Sequence, residues 1–384
     1  MQYCIGNIRV AFDGDSAASR ILQDTLRPIG SDDASNPELR FQFVDRLPGI
    51  EGRRHARIKD VHIGDGHVRV HESLWHYDIS RENDTLNVAV APRPEGPLQC
   101  RLRDLKKSWR YLHTYGRGSY LHRVRAFCFS SYLPMVQLAL LNHGSTFCHS
   151  SAIEREGQAI LFPACGGVGK TSLMSRYVEQ GWNFLADDLC TLDAQGRATI
   201  HPLPMHIYKY HESQAAGLVR KMLERSTPWD RRMWKLWGTI KKPDKMVRWV
   251  KPGQVFGEQR LSRGGQVAKV FHLHRSRDAG AFRHEELDPS EVAARIASNL
   301  LEESSSPSPQ VFGAAGSCLR LDFVPELGTM YDQIRQTCTA GLANAACYSI
   351  AIPQQANATD ITRYLHQQGL MQAVESRSRA GLQP

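Results

Sequence analysis

Apolar and polar positions alternate with a period of two over residues 8–12, 39–44, 68–71 and 86–91, which predicts four short strands. A helical spacing over residues 16–26 interrupts them. The period then lengthens, and residues 101–112 and 120–141 read as helices. The second carries an apolar stripe through Val124, Phe127, Cys128, Tyr132, Met135, Val136 and Leu140. Strand-like runs return at 146–153 and 158–163, joined by the polar turn Glu154-Arg155-Glu156-Gly157. A glycine-rich loop follows, then a helix over 170–180 stopped by Gly181. One strand is expected over 184–192 and another over 198–203. Beyond a basic, tryptophan-rich helical insertion at about 211–257 come a strand at 267–274, helices at 289–301 and 325–337, a strand at 347–352 and a closing helix at 360–368. No internal repeat is visible. The pattern divides the chain into a β-rich region over 1–100, a helical connection over 101–144 and an α/β region over 145–384.

Size and composition agree with this picture and narrow it little. A chain of 384 residues is long for one small core, and 41% hydrophobic with 23% charged residues is ordinary for a globular protein. The N-terminus reads as a strand and lacks the basic start and apolar stretch of a signal peptide. No window reaches the roughly 18 uninterrupted apolar residues of a membrane span, since Ser130, Ser131, Pro134 and Gln137 break the nearest one. Nine cysteines are scattered without a CxxC pair, so reduced, buried thiols and a cytoplasmic location are expected. The net charge of +9 suits an anionic partner without naming one.

Chemistry enters at residues 158–174. An apolar strand runs into Gly166, Gly167 and Gly169, and Lys170 and Thr171 open the next helix. Glycines let backbone amides turn inward on a phosphate, and a helix N-terminus adds partial positive charge. A lysine there can reach β- and γ-phosphates, and a threonine hydroxyl can ligate Mg²⁺. The nucleotide-binding set is therefore Gly166, Gly167, Val168, Gly169, Lys170, Thr171 and Ser172, with Ala164 standing where the first glycine of such loops usually is. About seventeen residues past Lys170, the next strand brings Asp187 and Asp188 beside the loop. Phosphoryl transfer to a hydroxyl needs one carboxylate for Mg²⁺ and one for the acceptor proton, so two adjacent acids can divide the work. His149 lies on the strand expected to pair with the loop strand. On periodicity alone it is as well read as a structural histidine.

Three elements in this order, His149-Ser150-Ser151, the loop from Ala164 to Thr171, and Ala186-Asp187-Asp188, resemble the HPr kinase/phosphorylase family and its wider group of HPr-kinase-related serine kinases. That family has a P-loop fold related to phosphoenolpyruvate carboxykinase. The similarity covers residues 148–204, including a Pro-x-Pro turn at Pro202-Leu203-Pro204. It implies a mixed-sheet HPr-kinase-like α/β core that binds ATP and Mg²⁺. It also implies Asp187 as general base, Asp188 with Thr171 at the metal, and Lys170 and His149 on the phosphates; exchange of the two aspartates' roles stays open. The chain has no counterpart of the family's Arg-Gly-Leu-Gly-like segment, and residues 1–144 have no match in its N-terminal domain. The acceptor is therefore an unidentified hydroxyl, on a protein or peptide serine, a lipid or a metabolite. A nucleotide-dependent regulatory switch with little or no transfer is the alternative.

Within the insertion, residues 220–251 hold eleven basic residues against Glu224, Asp230 and Asp244, with Trp229, Trp234, Trp237 and Trp249 interleaved. Such a pattern suits lipid headgroups, an acidic peptide or a binder of the acceptor, and suits equally a helical insertion whose tryptophans pack on the body. No nucleic-acid module accompanies it, so nucleic acid is not expected as a partner. Arg275 is readable as a clamp on transferring phosphate or as a surface arginine.

Overall fold

In the computed structural model, which describes residues 2–33, 35–49, 55–58, 60–64, 66–72, 74–93, 102, 105–106, 121–277, 280–303 and 324–372, the alternating N-terminal stretches join one sheet. Among the described residues it has nine strands: β1 (Gln2–Ile5), β2 (Ile8–Asp13), β3 (Gly30–Ser31), β4 (Leu39–Phe43), β5 (His55–Ile58), β6 (Val61–Gly64), β7 (His67–His71), β8 (Trp75–Glu82) and β9 (Thr85–Pro92). Their order is β3-β1-β2-β4-β9-β8-β7-β6-β5, with β4 parallel to both neighbours and the other pairs antiparallel. Along β8, Trp75, Tyr77 and Ile79 are buried while His76, Asp78 and Ser80 are half-buried, the period-two pattern of a sheet with one covered face. Helix α1 (Ala17–Leu26) packs Ala18, Leu22 and Leu26 inward and starts where the Ser16 hydroxyl accepts from the Ser19 N–H at 2.9 Å.

The second expected helix is two helices, α2 (Leu121–Phe127) and α3 (Leu133–Asn142), joined by a π-helical turn at Cys128–Tyr132. The helix expected over 101–112 lies almost wholly outside the described residues. Arg123–Asn142 is, among the described residues, the one helical run long and apolar enough to cross a membrane, yet 72% of it is buried inside the protein. It is a core helix wedged between the two halves. On one side the Tyr77 hydroxyl donates to the Ser130 carbonyl at 2.8 Å and the Trp75 indole to the Arg123 carbonyl at 2.9 Å. On the other, the Gln137 amide donates to Thr146 Oγ1 at 2.9 Å while its oxygen accepts from the Phe147 N–H at 2.8 Å.

The second sheet is built from β10 (Ser145–Arg155), β11 (Gln158–Pro163), β12 (Asn183–Ala186), β13 (Leu189–Asp193), β14 (Arg197–Ile200), β17 (Gly264–Ser276), β18 (Arg283–Glu286) and β19 (Ala346–Pro353). Its order is β11-β10-β13-β14-β17-β19-β18, and β11 also pairs in parallel with β17, which closes the first five strands into a ring. Helix α4 (Lys170–Glu179) carries the chain from β11 over to β12, which pairs with β10 on its far edge, so β10 is flanked by both.

The continuous strand expected over 184–192 is two strands, and the break is Asp187-Asp188. One edge of β10 takes β12 at Ala152–Glu154 and β13 at Ser145–His149, with a register shift between Ala152 and Ile153. The chain bows out between them and is held by the Ser150 N–H donating to the Asp188 carbonyl at 3.0 Å. Both acids thus leave the ladder beside the loop that follows β11.

The insertion leaves this sheet as a hairpin, β15 (Met205–Tyr208) paired with β16 (Val247–Val250), enclosing helices α5 (His211–Gln214), α6 (Ala216–Glu224) and α7 (Pro228–Ile240). Its tryptophans divide. Trp234 is buried, donates to Glu212 Oε1 at 2.8 Å and lies under the Lys209 ammonium, whereas Trp229 is exposed. A short helix, α8 (Pro252–Phe256), returns the chain to the sheet, and α9 (Pro289–Glu303), α10 (Leu327–Leu342) and α11 (Ala358–Gln367) complete the fold. Among the described cysteines all are free, and Cys128, Cys148, Cys190, Cys338 and Cys347 are buried as expected. Cys4 and Cys165 are exposed instead, and Cys100 and Cys318 lie outside the described residues.

Candidate functional site

Between Pro163, the last residue of β11, and Lys170, the first of α4, the backbone turns through Gly167 at φ +80° and Gly169 at φ +111°. A side chain in this left-handed region costs about 1–2 kcal/mol. A Cβ at Gly167 would meet nothing within 4 Å, so backbone conformation and not crowding demands glycine there. Ala164 is buried and, among the described residues, only Asn83 and Glu156 are non-glycine residues at positive φ. A Cβ at the position of the missing glycine is therefore accommodated without strain. Because α4 begins at Lys170, its first unpaired N–H groups and positive dipole end face the loop.

Arg275 does not sit free at the surface. Its Nη2 donates to the carbonyls of Val168 (3.2 Å) and Ala356 (3.1 Å), and its Nη1 to those of Pro353, Gln354 and Ala356 at 2.9–3.1 Å. The guanidinium ties the glycine loop to the connection between β19 and α11 as a strap.

Four predicted residues meet at the other side of the loop. The Lys170 ammonium donates to the Ala164 carbonyl at 2.5 Å and lies 2.9 Å from His149 Nε2, which is 3.0 Å from Asp188 Oδ1. A single ring nitrogen has one hydrogen-bonding position, so Nε2 either donates to Asp188 or accepts from Lys170. The carboxylates are placed unequally. Asp187 is 8% exposed, and burial pushes its carboxyl up to about 7, against opposing hydrogen bonds from Thr171 and the His206 main chain. Loss of solvent also acts to raise Asp188, but the His149 hydrogen bond and the positive potential of His149, His206 and Lys170 outweigh it. That carboxyl stays well below the ordinary range, on a side chain 52% exposed. Thr171, paired with Asp188 by the sequence, meets Asp187 here.

Three buried polar atoms around the loop have no hydrogen-bond partner among the described residues: His149 Nδ1, Ser172 Oγ and Asp187 Oδ1. Each such atom costs about 1–3 kcal/mol. Their clustering beside a glycine loop marks where a polar ligand would supply partners. Gly166, Val168 and Ser172 lie on the loop and the first turn of α4 as expected.

Beside the acid pair opens a pocket that the sequence did not assemble. Asp187 and Asp188 form one wall, and Phe129, Leu203, His206 and Trp249 are among the residues that supply the rest. His206 and Trp249 are cross-strand partners in the β15–β16 hairpin with ring centres 4.4 Å apart, and the Arg125 guanidinium lies 5.0 Å over the Trp249 ring. Phe129 comes from the π-helical turn of the core helix. Nearby, His201 is buried against the Tyr132 hydroxyl at 3.0 Å, and burial holds it neutral with a pKa of about 3. The interleaving of tryptophan with charge around 249 hinted at a binding role, but nothing local in the sequence brings Phe129 to it.

No family model matches the chain, and no curated protein matches it. Among solved structures, the chain has a partial likeness to the HPr(Ser) kinase/phosphatase from Coxiella burnetii. The two share 10% identity over 37% of this chain and 77% of that one, with a TM-score of 0.23, a level at which the likeness carries no weight for fold or function.

Proposed function

We propose that the chain is an ATP- and Mg²⁺-dependent phosphotransferase that moves a γ-phosphoryl group to an alcohol. The observation that carries this is the meeting of Lys170, His149, Asp187 and Asp188 at the mouth of a strand–glycine-loop–helix junction. The main-chain N–H groups of Gly166 to Ser172 and the Lys170 ammonium would cradle the phosphates. Hard oxygen donors at Thr171 and Asp188 suit Mg²⁺. No group of three or more His, Cys, Asp or Glu able to hold a metal occurs among the described residues, which fits a cation held largely through phosphate oxygens and water. When bound, Mg²⁺ would neutralise charge on the β- and γ-phosphates. Thr171 would exchange its contact with Asp187 for the cation. Asp187 would take the proton of the acceptor hydroxyl as the new P–O bond forms and the bond to the departing ADP breaks. A carboxyl near 7 is well matched to that task at neutral pH. The pocket next to Asp187, walled by Phe129, Leu203 and Trp249, favours an alcohol on an apolar or aromatic body.

Incubation with γ-labelled ATP and a series of alcohols tests this. Label should pass to alkyl and aryl alcohols at least about tenfold better than to polyols of similar size. Nucleotide binding with no transfer to any alcohol or cell extract would support a regulatory switch instead. A second expectation concerns pH. The base must be ionised, so kcat/KM should fall about tenfold per pH unit below about 7 and level off above it. A profile flat from pH 5 to pH 8 would remove Asp187 from the role of base.

A further inference from the structure

Helix α7 (Pro228–Ile240) presents three distinct faces. At 100° per residue, Asp230, Trp234 and Trp237 fall on one side. This side is turned to the body: Trp234 is buried, and Asp230 pairs with Arg248 at 3.2 Å. Trp229, Met233, Leu236 and Ile240, spaced four, three and four apart, fall within a second narrow arc that stays at the surface among the described residues. Trp229 is 39%, Leu236 50% and Ile240 65% exposed, and Met233 is partly exposed. A large apolar stripe left in water is unusual for a helix that already has a buried face. The third face, next to the stripe, holds Arg231, Arg232 and Lys235, all exposed, and Lys242 and Lys245 follow the helix C-terminus, also exposed. Of the acids near this surface, Asp230 is held by Arg248 and Asp244 lies 3.7 Å from Lys245, which leaves the exposed helical surface cationic beside its apolar stripe.

We propose that this face of α7 docks on an anionic lipid bilayer. A stripe ending in an aromatic residue, flanked by arginine and lysine on a helix otherwise anchored to the body, has the form of a helix lying in the interface plane. Its apolar side chains enter the acyl boundary and its cations meet headgroup phosphates. Charge complementarity selects this occupant: an apolar peptide groove would satisfy the stripe and leave the cations unused, and a soluble polyanion would do the reverse. The same insertion lines the pocket beside Asp187 through His206 and Trp249, so docking would bring that pocket near the membrane surface.

Flotation of the full-length chain with vesicles tests this without reference to phosphotransfer. Vesicles of phosphatidylcholine alone are compared with vesicles containing about a third phosphatidylglycerol, at low and high salt. The chain should partition at least about tenfold more strongly onto the anionic vesicles, with a blue shift of tryptophan emission, and half or more of that binding should be lost at high salt. Leu236→Asp with Ile240→Asp should reduce binding about tenfold, as should Arg232→Glu with Lys235→Glu. All four residues are exposed, and an unchanged melting temperature confirms that each variant folds. Equal binding to both vesicle types would overturn the proposal. So would retention of binding by the Leu236/Ile240 variant, which reduces the effect to charge alone. Sedimentation showing that the stripe closes a dimer, dissociated by the same two changes, would assign the face to a second copy and overturn it too.

Discussion

An Asp187→Asn protein is expected to lose phosphoryl transfer by a factor of about 10²–10⁴ while binding MgATP within about threefold of the parent. Asparagine matches aspartate in shape, so Thr171 and the His206 main chain keep a neighbour of the same size, but it cannot take the acceptor proton. Stability should move the other way. The native carboxyl titrates near 7 and an unfolded one near 4, so between those values the native state holds the extra proton. The parent therefore loses stability as pH rises from about 4 to about 7 and changes no further from this source. Asparagine, neutral throughout, removes that slope, and its advantage in melting temperature should grow across the same window and persist above it. An inactive protein that is as stable as the parent, or more so, at pH 8 separates lost chemistry from lost folding. Full transfer by the variant would end the proposed role. If MgATP affinity collapses instead, Asp187 is the cation's partner and Asp188 the base.

Much of this site was legible because its demands are local. Gly167 and Gly169 must adopt left-handed backbone, and only glycine does so without strain, so the loop shows in the sequence wherever it occurs. The strand before it and the helix after it follow from uninterrupted apolar residues and from Gly181. The break in the strand expected over 184–192 was hidden for the opposite reason. Phe184, Leu185 and Ala186 on one side and Leu189 and Cys190 on the other are apolar enough to read as one strand. What parts them is the register shift in β10, a partner distant in sequence. Strand β8 has a clear alternation at Trp75, Tyr77 and Ile79 that the four expected strands do not include, and the two-residue β3 is too short to show a period. The pocket has no local signature, because Phe129 and Trp249 are brought together by packing of the core helix against the insertion hairpin. Arg275 gave no sign of its strap, since its acceptors are main-chain carbonyls that any residue supplies.

A Lys170→Ala protein should fail at a different step, and the contrast with Asp187→Asn is the sharper test of the site. Lys170 is 9% exposed, and its ammonium rests on the Ala164 carbonyl, with His149 Nε2 at 2.9 Å. The charge of Lys170 also acts on both carboxyls of the acid pair, lowering each, and an entering polyphosphate would offer it a multiply charged partner. Removing it should weaken nucleotide binding by about 10²-fold and transfer by about 10³-fold. The first loss should appear with ADP as well as ATP and before any acceptor is added. Arginine should not restore function, because a planar guanidinium cannot occupy the narrow space between Ala164 and His149 that a single ammonium fills. His149 would be left with Asp188 alone, so the carboxylate stays held and the loop keeps its strap at Arg275, which predicts a folded protein. Nucleotide affinity equal to the parent's would mean that Lys170 serves only to hold the loop carbonyl. In that event the phosphate site lies elsewhere and the phosphotransferase proposal falls with it.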